Sequence, residues 1–181
     1  DRILQLSGRV ADGVLIGTYA SREGIEHGIN MVKNGLKQSG RSIRDIKIYS
    51  RVDCCVLDDS EAARDAMRSM ISVMLMASYP DQGFVKRLGL RIPDKLFQAI
   101  EEQREEKVIR LSHLVPDSFV DSYSWAGNAE EVSEAINDAI KAGIDGIVVH
   151  FHTPSDVPID QVIRDFAEQV IPRIKSHQNS E

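Results

Sequence analysis

Three stretches of the chain are rich in apolar residues on both strand faces, and between them apolar positions recur every three or four residues. The first run, Gly13-Val14-Leu15-Ile16-Gly17, is short and closed by glycines. The second, Ile46 to Leu57, is rich in Ile, Val and Cys, and the third, Ile144 to Phe151, contains Ile147-Val148-Val149. Runs apolar on both faces suit parallel strands buried on both sides. The periodic stretches predict helices. Ser21 is placed to cap one that carries Ile25, Ile29, Val32 and Leu36, with Gly40 as its stop. Asp59 or Ser60 opens a second, with Ala63, Met67, Met70, Ile71 and Met74 on one stripe. Asn128 and Glu131 form a capping-box pair ahead of Val132, Ile136, Ala139 and Ile140, and Gly143 ends that helix. A last helix bears Val162, Ile163, Phe166, Val170 and Ile174 and bends or ends near Pro172.

Strand, helix, strand, helix, insertion, helix, strand, helix is the order of parallel βα units, so the fold class expected is α/β. The rhythm breaks between Tyr79 and Trp125, which hold Pro80, Pro93 and Pro116 and a charged helix around Gln98–Arg110. Residues 1–181 are read as one domain, with 79–125 as a helical insertion of the lid or interface kind.

Composition narrows the function classes. Of 181 residues, 42% are hydrophobic and 28% charged, the balance of an ordinary globular chain. The net charge is −6 and the basic residues are scattered among Glu, so no basic face offers itself to nucleic acid. No apolar run reaches the ~20 residues of a membrane span, and Asp1-Arg2-Ile3-Leu4 has no signal-peptide character. The two cysteines, Cys54 and Cys55, are adjacent; as strand neighbours they point to opposite faces and read as reduced core residues. A cytoplasmic protein with a small-molecule partner, and with neither nucleic acid nor membrane, is expected.

Several stretches, in order, resemble one family. Ser7-Gly8-Arg9-Val10-Ala11-Asp12-Gly13-Val14-Leu15 is similar to the AG-x-x-ADGV segment of the luciferase-like monooxygenase superfamily. The helix start Ser60-Glu61-Ala62-Ala63-Arg64-Asp65, the passage Val115-Pro116-Asp117-Ser118-Phe119-Val120-Asp121, and Ala126-Gly127-Asn128-Ala129-Glu130-Glu131-Val132 agree with it. So do Ala142 to Val149 and Phe166 to Pro172. Arg9 departs from the pattern where an acidic Glu is expected. Within the superfamily the chain looks most like the deazaflavin-dependent methylenetetrahydromethanopterin reductases.

That resemblance implies the C-terminal portion of a TIM (β/α)8 barrel, about three βα units corresponding to strands six to eight. A whole barrel takes ~250 residues, so the resemblance also implies a missing N-terminal half or a second chain to complete the ring. It implies coenzyme F420 as cofactor, with FMN as the alternative, hydride transfer to or from a carbon substrate, and a homo-oligomer. The acid–base residues would lie upstream, so no catalytic residue is assigned within these 181, which alone would show no turnover.

In such a barrel the chemistry sits at the C-terminal ends of the strands. The first strand ends in Gly17-Thr18-Tyr19-Ala20-Ser21, small residues and hydroxyls ahead of a helix N-terminus, which suits a phosphate. By the resemblance this loop meets the ribityl-phosphate arm of the cofactor, which makes Gly17, Thr18, Tyr19 and Ser21 the cofactor-binding candidates. The plainer alternative is a tight turn with Ser21 as a simple cap. His150 and His152 close the last strand on one face and are assigned to substrate. They could share a metal, with Asp156 the only further ligand near in sequence, but the resembled enzymes use none and no metal is expected. Arg51 and Asp53 share a strand face and read as an ion pair inside the barrel, while Asp12, ahead of its strand, reads as structural. Tyr123 and Trp125 are expected to pack the insertion against the sheet. Two rival classes remain: a non-catalytic half-barrel that dimerises and binds a phosphate-bearing ligand, and a metal-dependent hydrolase using His150 and His152.

Overall fold

The alternation expected from the hydrophobic pattern is present in the computed structural model, which describes residues 1–17 and 19–174. The elements run α1 (Arg2–Val10), β1 (Gly13–Ile16), α2 (Arg22–Gln38), β2 (Lys47–Val56), α3 (Ser60–Ala77), then the short helices α4 (Gly83–Arg87), α5 (Asp94–Glu101), α6 (Glu105–Arg110) and α7 (Asp117–Tyr123). They continue with β3 (Ser124–Gly127), α8 (Ala129–Ile140), β4 (Gly146–Phe151) and α9 (Ile159–Asp165). The caps lie where the sequence puts them. Ser21 Oγ accepts from the Gly24 amide, Asp59 accepts from the Glu61 and Ala62 amides, and Asn128 and Glu131 form a reciprocal capping box.

Three features differ from the pattern reading. The charged helix expected around Gln98–Arg110 is two helices, α5 and α6. Between them Gln103 takes a φ of 54°, and its amide nitrogen donates to the carbonyl of Ile100 at 2.8 Å, closing the end of α5. Second, α1 forms although it contains Ser7-Gly8. Gly8 serves close packing here: a Cβ on it would stand 2.2 Å from the Val32 carbonyl oxygen, and one on Gly35 would stand 1.9 Å from that of Gln5. Helices α1 and α2 therefore meet backbone to backbone. Third, β3 is a strand that pattern alone did not single out. At the far end, α9 runs into a π-helical turn over Phe166–Val170 and a 3-10 turn over Ile171–Arg173. Pro172 lacks an amide hydrogen, and its ring crowds the carbonyl four residues back, so the regular helix cannot continue.

All strand pairs are parallel. Strand β2 is the hub. Tyr49 pairs with Leu15 of β1 and with Gly146 of β4, while Asp53 pairs with Ser124 of β3 and with His150 of β4. A residue has one neighbour on each edge, so β4 occupies one edge of β2. Strands β1 and β3 occupy the other edge, one after the other.

Alternate residues of these strands face opposite ways. Val14, Ile16, Ile48, Val52, Cys54 and Trp125 point to one side and are buried under the helices with Ile25, Ile29, Met67, Ile71 and Ile136. The other side lies bare along much of its length: Leu15 is 51% exposed, Tyr49 40% and Val148 45%. Asp145 ties β2 to β4 at the N-terminal ends of the strands. Its carboxylate accepts from the Ile48 amide at 2.8 Å and from Lys47 Nζ at 2.9 Å, and its own amide donates to the Ile48 carbonyl at 2.7 Å. The start of α7 is held to α3 by Arg68, whose guanidinium reaches Glu61, Asp65, Asp117 and the Val115 carbonyl.

Candidate functional site

Four polar side chains meet on the bare face, at the C-terminal ends of β2 and β4. Arg51 and Asp53 lie two apart on β2, and His150 and His152 lie two apart at and just past the end of β4. The pairing of Asp53 with His150 sets the two pairs side by side. Oδ1 of Asp53 lies 2.8 Å from Nδ1 of His150, 2.8 Å from Nε2 of His152 and 3.2 Å from Nη2 of Arg51, and Nη1 of Arg51 donates to Oδ2 at 3.3 Å. The two imidazoles stand edge to face, with centroids 4.7 Å apart. Burial alone would raise the Asp53 carboxyl, but hydrogen bonds from His152 and His150 and the charge of Arg51 outweigh it and hold the group below the usual aspartate range.

One contact in this cluster is mismatched. Nδ1 of His150 lies 2.8 Å from Nη2 of Arg51, which can only donate, and 2.8 Å from Oδ1 of Asp53, which can only accept once ionised. A single imidazole nitrogen either carries its proton or presents a lone pair. It satisfies one neighbour and opposes the other.

The loop after β1 opens beside this cluster. Gly17 is exposed, and a Cβ placed on it would touch Cδ of Arg51 at 3.9 Å. Thr18 lies outside the described residues. Tyr19 turns away from the bare face: it is buried, stacks on Tyr123 at 6.1 Å, and its hydroxyl accepts from Arg87 at 3.2 Å. The amides of Ala20 and Ser21 both donate to the Ser122 carbonyl, at 2.8 and 3.3 Å, and Ser21 Oγ caps α2. Trp125 fixes the same turn from β3, donating its indole N–H to the Ala20 carbonyl at 3.2 Å. Tyr123 from the end of α7 and Trp125 from β3 thus hold the loop after β1.

Sequence reasoning identified the Arg51–Asp53 pair and the two histidines separately, but did not join them. The joining depends on the register of β2 against β4, which spans almost a hundred residues of chain. The acidic neighbour of the histidines is Asp53; Asp156 is exposed and is not among the clustered groups. Asp12 stands at the opposite end of the sheet, where its carbonyl accepts from the Lys47 amide at 2.9 Å. The cysteines are free and buried, and burial pushes the Cys55 thiol up to about 11, so neither is a ready nucleophile. A separate groove lined by Arg64, Asp121, Trp125, Glu131 and Asp138 contains none of the clustered residues. No helix among the described residues is long and apolar enough to cross a membrane.

Comparison with known proteins agrees with the parallel α/β fold. A 5,10-methylenetetrahydromethanopterin reductase of Methanopyrus kandleri is 25% identical over 173 residues, covering 96% of this chain and 48% of the relative. The enzyme of the same name from Archaeoglobus fulgidus is 25% identical over 179 residues, covering 96% of this chain and 52% of the relative. The chain thus spans about half the length of these relatives. Among solved structures, the coenzyme F420 dependent tetrahydromethanopterin reductase from Methanopyrus kandleri superposes with a TM-score of 0.78 at 22% identity, over 96% of this chain and 48% of that one. An F420-dependent secondary alcohol dehydrogenase in complex with an F420-acetone adduct gives 0.65 at 16% identity, over 97% of this chain and 46% of that one. Both likenesses are of fold. The family model for luciferase-like monooxygenases matches residues 1–146, and the chain belongs to that family.

Proposed function

We propose that this chain is the C-terminal portion of a cytoplasmic (β/α)8-barrel oxidoreductase that uses coenzyme F420 to transfer hydride to or from a small carbon substrate of the methylenetetrahydromethanopterin type. On this reading β1, β2 and β4 are three successive barrel strands, residues 79–125 are an insertion that leads into β3, and the bare face is barrel interior. The observation that carries it is the coincidence of two features at one end of one sheet face. The exposed Gly17 loop and the Arg51–Asp53–His150–His152 cluster lie where barrel enzymes place their sites.

The residues fit the cofactor in part. Arg51 offers a half-exposed cation beside the exposed Gly17 backbone, suited to an anionic arm. The Ala20 and Ser21 amides are already engaged by Ser122, and the Tyr19 ring is buried. Cofactor contact therefore falls to Gly17 and Arg51, with Thr18 carried by the family resemblance alone and Ser21 acting through the helix it caps. When bound, the deazaflavin would accept or give the hydride, and the chain's part is to position it. His150 is 56% exposed, and with His152 it offers hydrogen bonds to the polar end of a substrate.

The test is fluorescence titration of the protein with coenzyme F420 and with FMN, followed by turnover of the parent polypeptide with each. Binding of F420 that Gly17→Val and Arg51→Gln weaken is expected; binding of FMN alone would favour a flavin-dependent monooxygenase of the same family. Absence of binding by both cofactors to the parent polypeptide would overturn the reading. Hydride transfer by these 181 residues alone would overturn the assignment of the acid–base residues to the missing half.

A further inference from the structure

We propose that Asp53, His150 and His152 form a binding site for one divalent transition-metal ion of the zinc class. The donor set is two imidazole nitrogens and one carboxylate oxygen, the mixture that zinc, cobalt, nickel and ferrous iron take, whereas magnesium and calcium require mostly oxygen. The three ligand atoms lie within 4.8 Å of one another. Ligands bound at about 2.0–2.2 Å in a tetrahedron stand about 3.3–3.6 Å apart. The two 2.8 Å contacts of Asp53 thus need to open by about 0.5–0.8 Å to admit an ion.

Two further observations point the same way. Asp53 and His150 lie toward the C-terminal ends of β2 and β4 and are paired in register, and His152 follows one residue past β4 with its amide donating to the Cys54 carbonyl at 2.8 Å, so backbone hydrogen bonds to β2 hold the ligands in place. The mismatch at His150 Nδ1 is also relieved by a cation. With an ion between them, the imidazole lone pair and the carboxylate oxygen both face positive charge, and neither a proton nor Arg51 has to serve both. Arg51 holds that place in the metal-free protein, so it competes with the metal, and binding swings its guanidinium away. Three protein ligands leave at least one coordination position open toward the bare face, the arrangement of an exchangeable site rather than a closed structural one. The family resemblance carries no metal, and the proposal does not depend on the F420 reading, because it is read as an equilibrium with the ion alone.

The experiment is titration of the tag-free protein with zinc chloride by calorimetry and with cobalt(II) chloride by visible absorption, without cofactor. One equivalent is expected to bind, with cobalt bands of a low-coordinate nitrogen–oxygen site. His150→Ala and His152→Ala should each weaken binding by about a hundredfold or more, beyond what loss of an outer-shell partner costs. Arg51→Gln should tighten it by about tenfold as the competing charge is removed. His27→Ala, at the only other imidazole–carboxylate contact among the described residues, should leave the affinity unchanged. Circular dichroism confirms that each variant is folded, and the exposure of His150 makes its replacement tolerable. No binding to the wild-type protein, or binding that survives both histidine replacements, would overturn the site. Loss in only one of the two would overturn the three-ligand arrangement, and an unchanged Arg51→Gln affinity would overturn the competition.

Discussion

The two faces of the sheet are made of alternate residues of the same strands, yet they are built on different principles. One is apolar and sealed by α2, α3 and α8: Ile16, Ile48, Val52 and Cys54 are all within 2% of full burial. The other mixes apolar groups left in the open, Leu15, Tyr49 and Val148, with the charged cluster around Asp53. Water can screen that cluster from only part of its surroundings, since Asp53 itself is 14% exposed. The covered face supplies cohesion and the bare face supplies chemistry. The strand pleat separates the two tasks one residue at a time.

The comparison can be broken most forcefully by paired truncations. Ile48→Ala should cost about 2–5 kcal/mol of unfolding free energy in urea denaturation, because it leaves a cavity in a close-packed layer. Leu15→Ala, one strand over on the other face, should stay within about 0.5 kcal/mol. Equal losses would mean that the bare face is packed against something in solution. A smaller effect is expected at the edge shared by both faces. Asp145→Ala leaves the Ile48 amide without its carboxylate partner and removes the Lys47 ion pair, for a loss of about 1–3 kcal/mol by the same measurement. The smallest effect sharpens the account of the cluster. Asp53 binds its proton more weakly in the folded state than in the unfolded chain, so its carboxylate stabilises the protein above the ordinary aspartate range. That contribution is lost as pH falls through the lowered folded value. The stability difference between wild type and Asp53→Asn should therefore be largest near neutrality and shrink below about pH 4. A difference that grows on acidification would reverse the sign of the Asp53 coupling.

What could be read from the chain in advance follows how local each determinant is. The three apolar runs, the Asn128–Glu131 box and the Ser21 cap are each written within a few residues, and each is present in the structure. Strand β3 is four residues ending in glycine, too short to show alternation, and it exists because β1 leaves the second half of one β2 edge unpaired. Helix α1 is hidden by Gly8, which makes sense only once Val32 is seen to press against it. The same distinction governs the site. Arg51 with Asp53, and His150 with His152, are visible as strand neighbours two apart. Their meeting is set by the register of strands distant in sequence, which a single sequence does not display. Tyr19 stands out in sequence for its place in the loop, but its ring stacks on Tyr123 of α7 and its hydroxyl accepts from Arg87 of α4, contacts between segments distant in sequence.

The chain contains a single tryptophan, Trp125, and its indole N–H is bonded to the turn that follows β1. The molecule therefore has its own optical gauge at that joint. An indole almost wholly removed from water emits at short wavelength, and any ligand that pries the turn from β3 would shift the emission to the red without an added label.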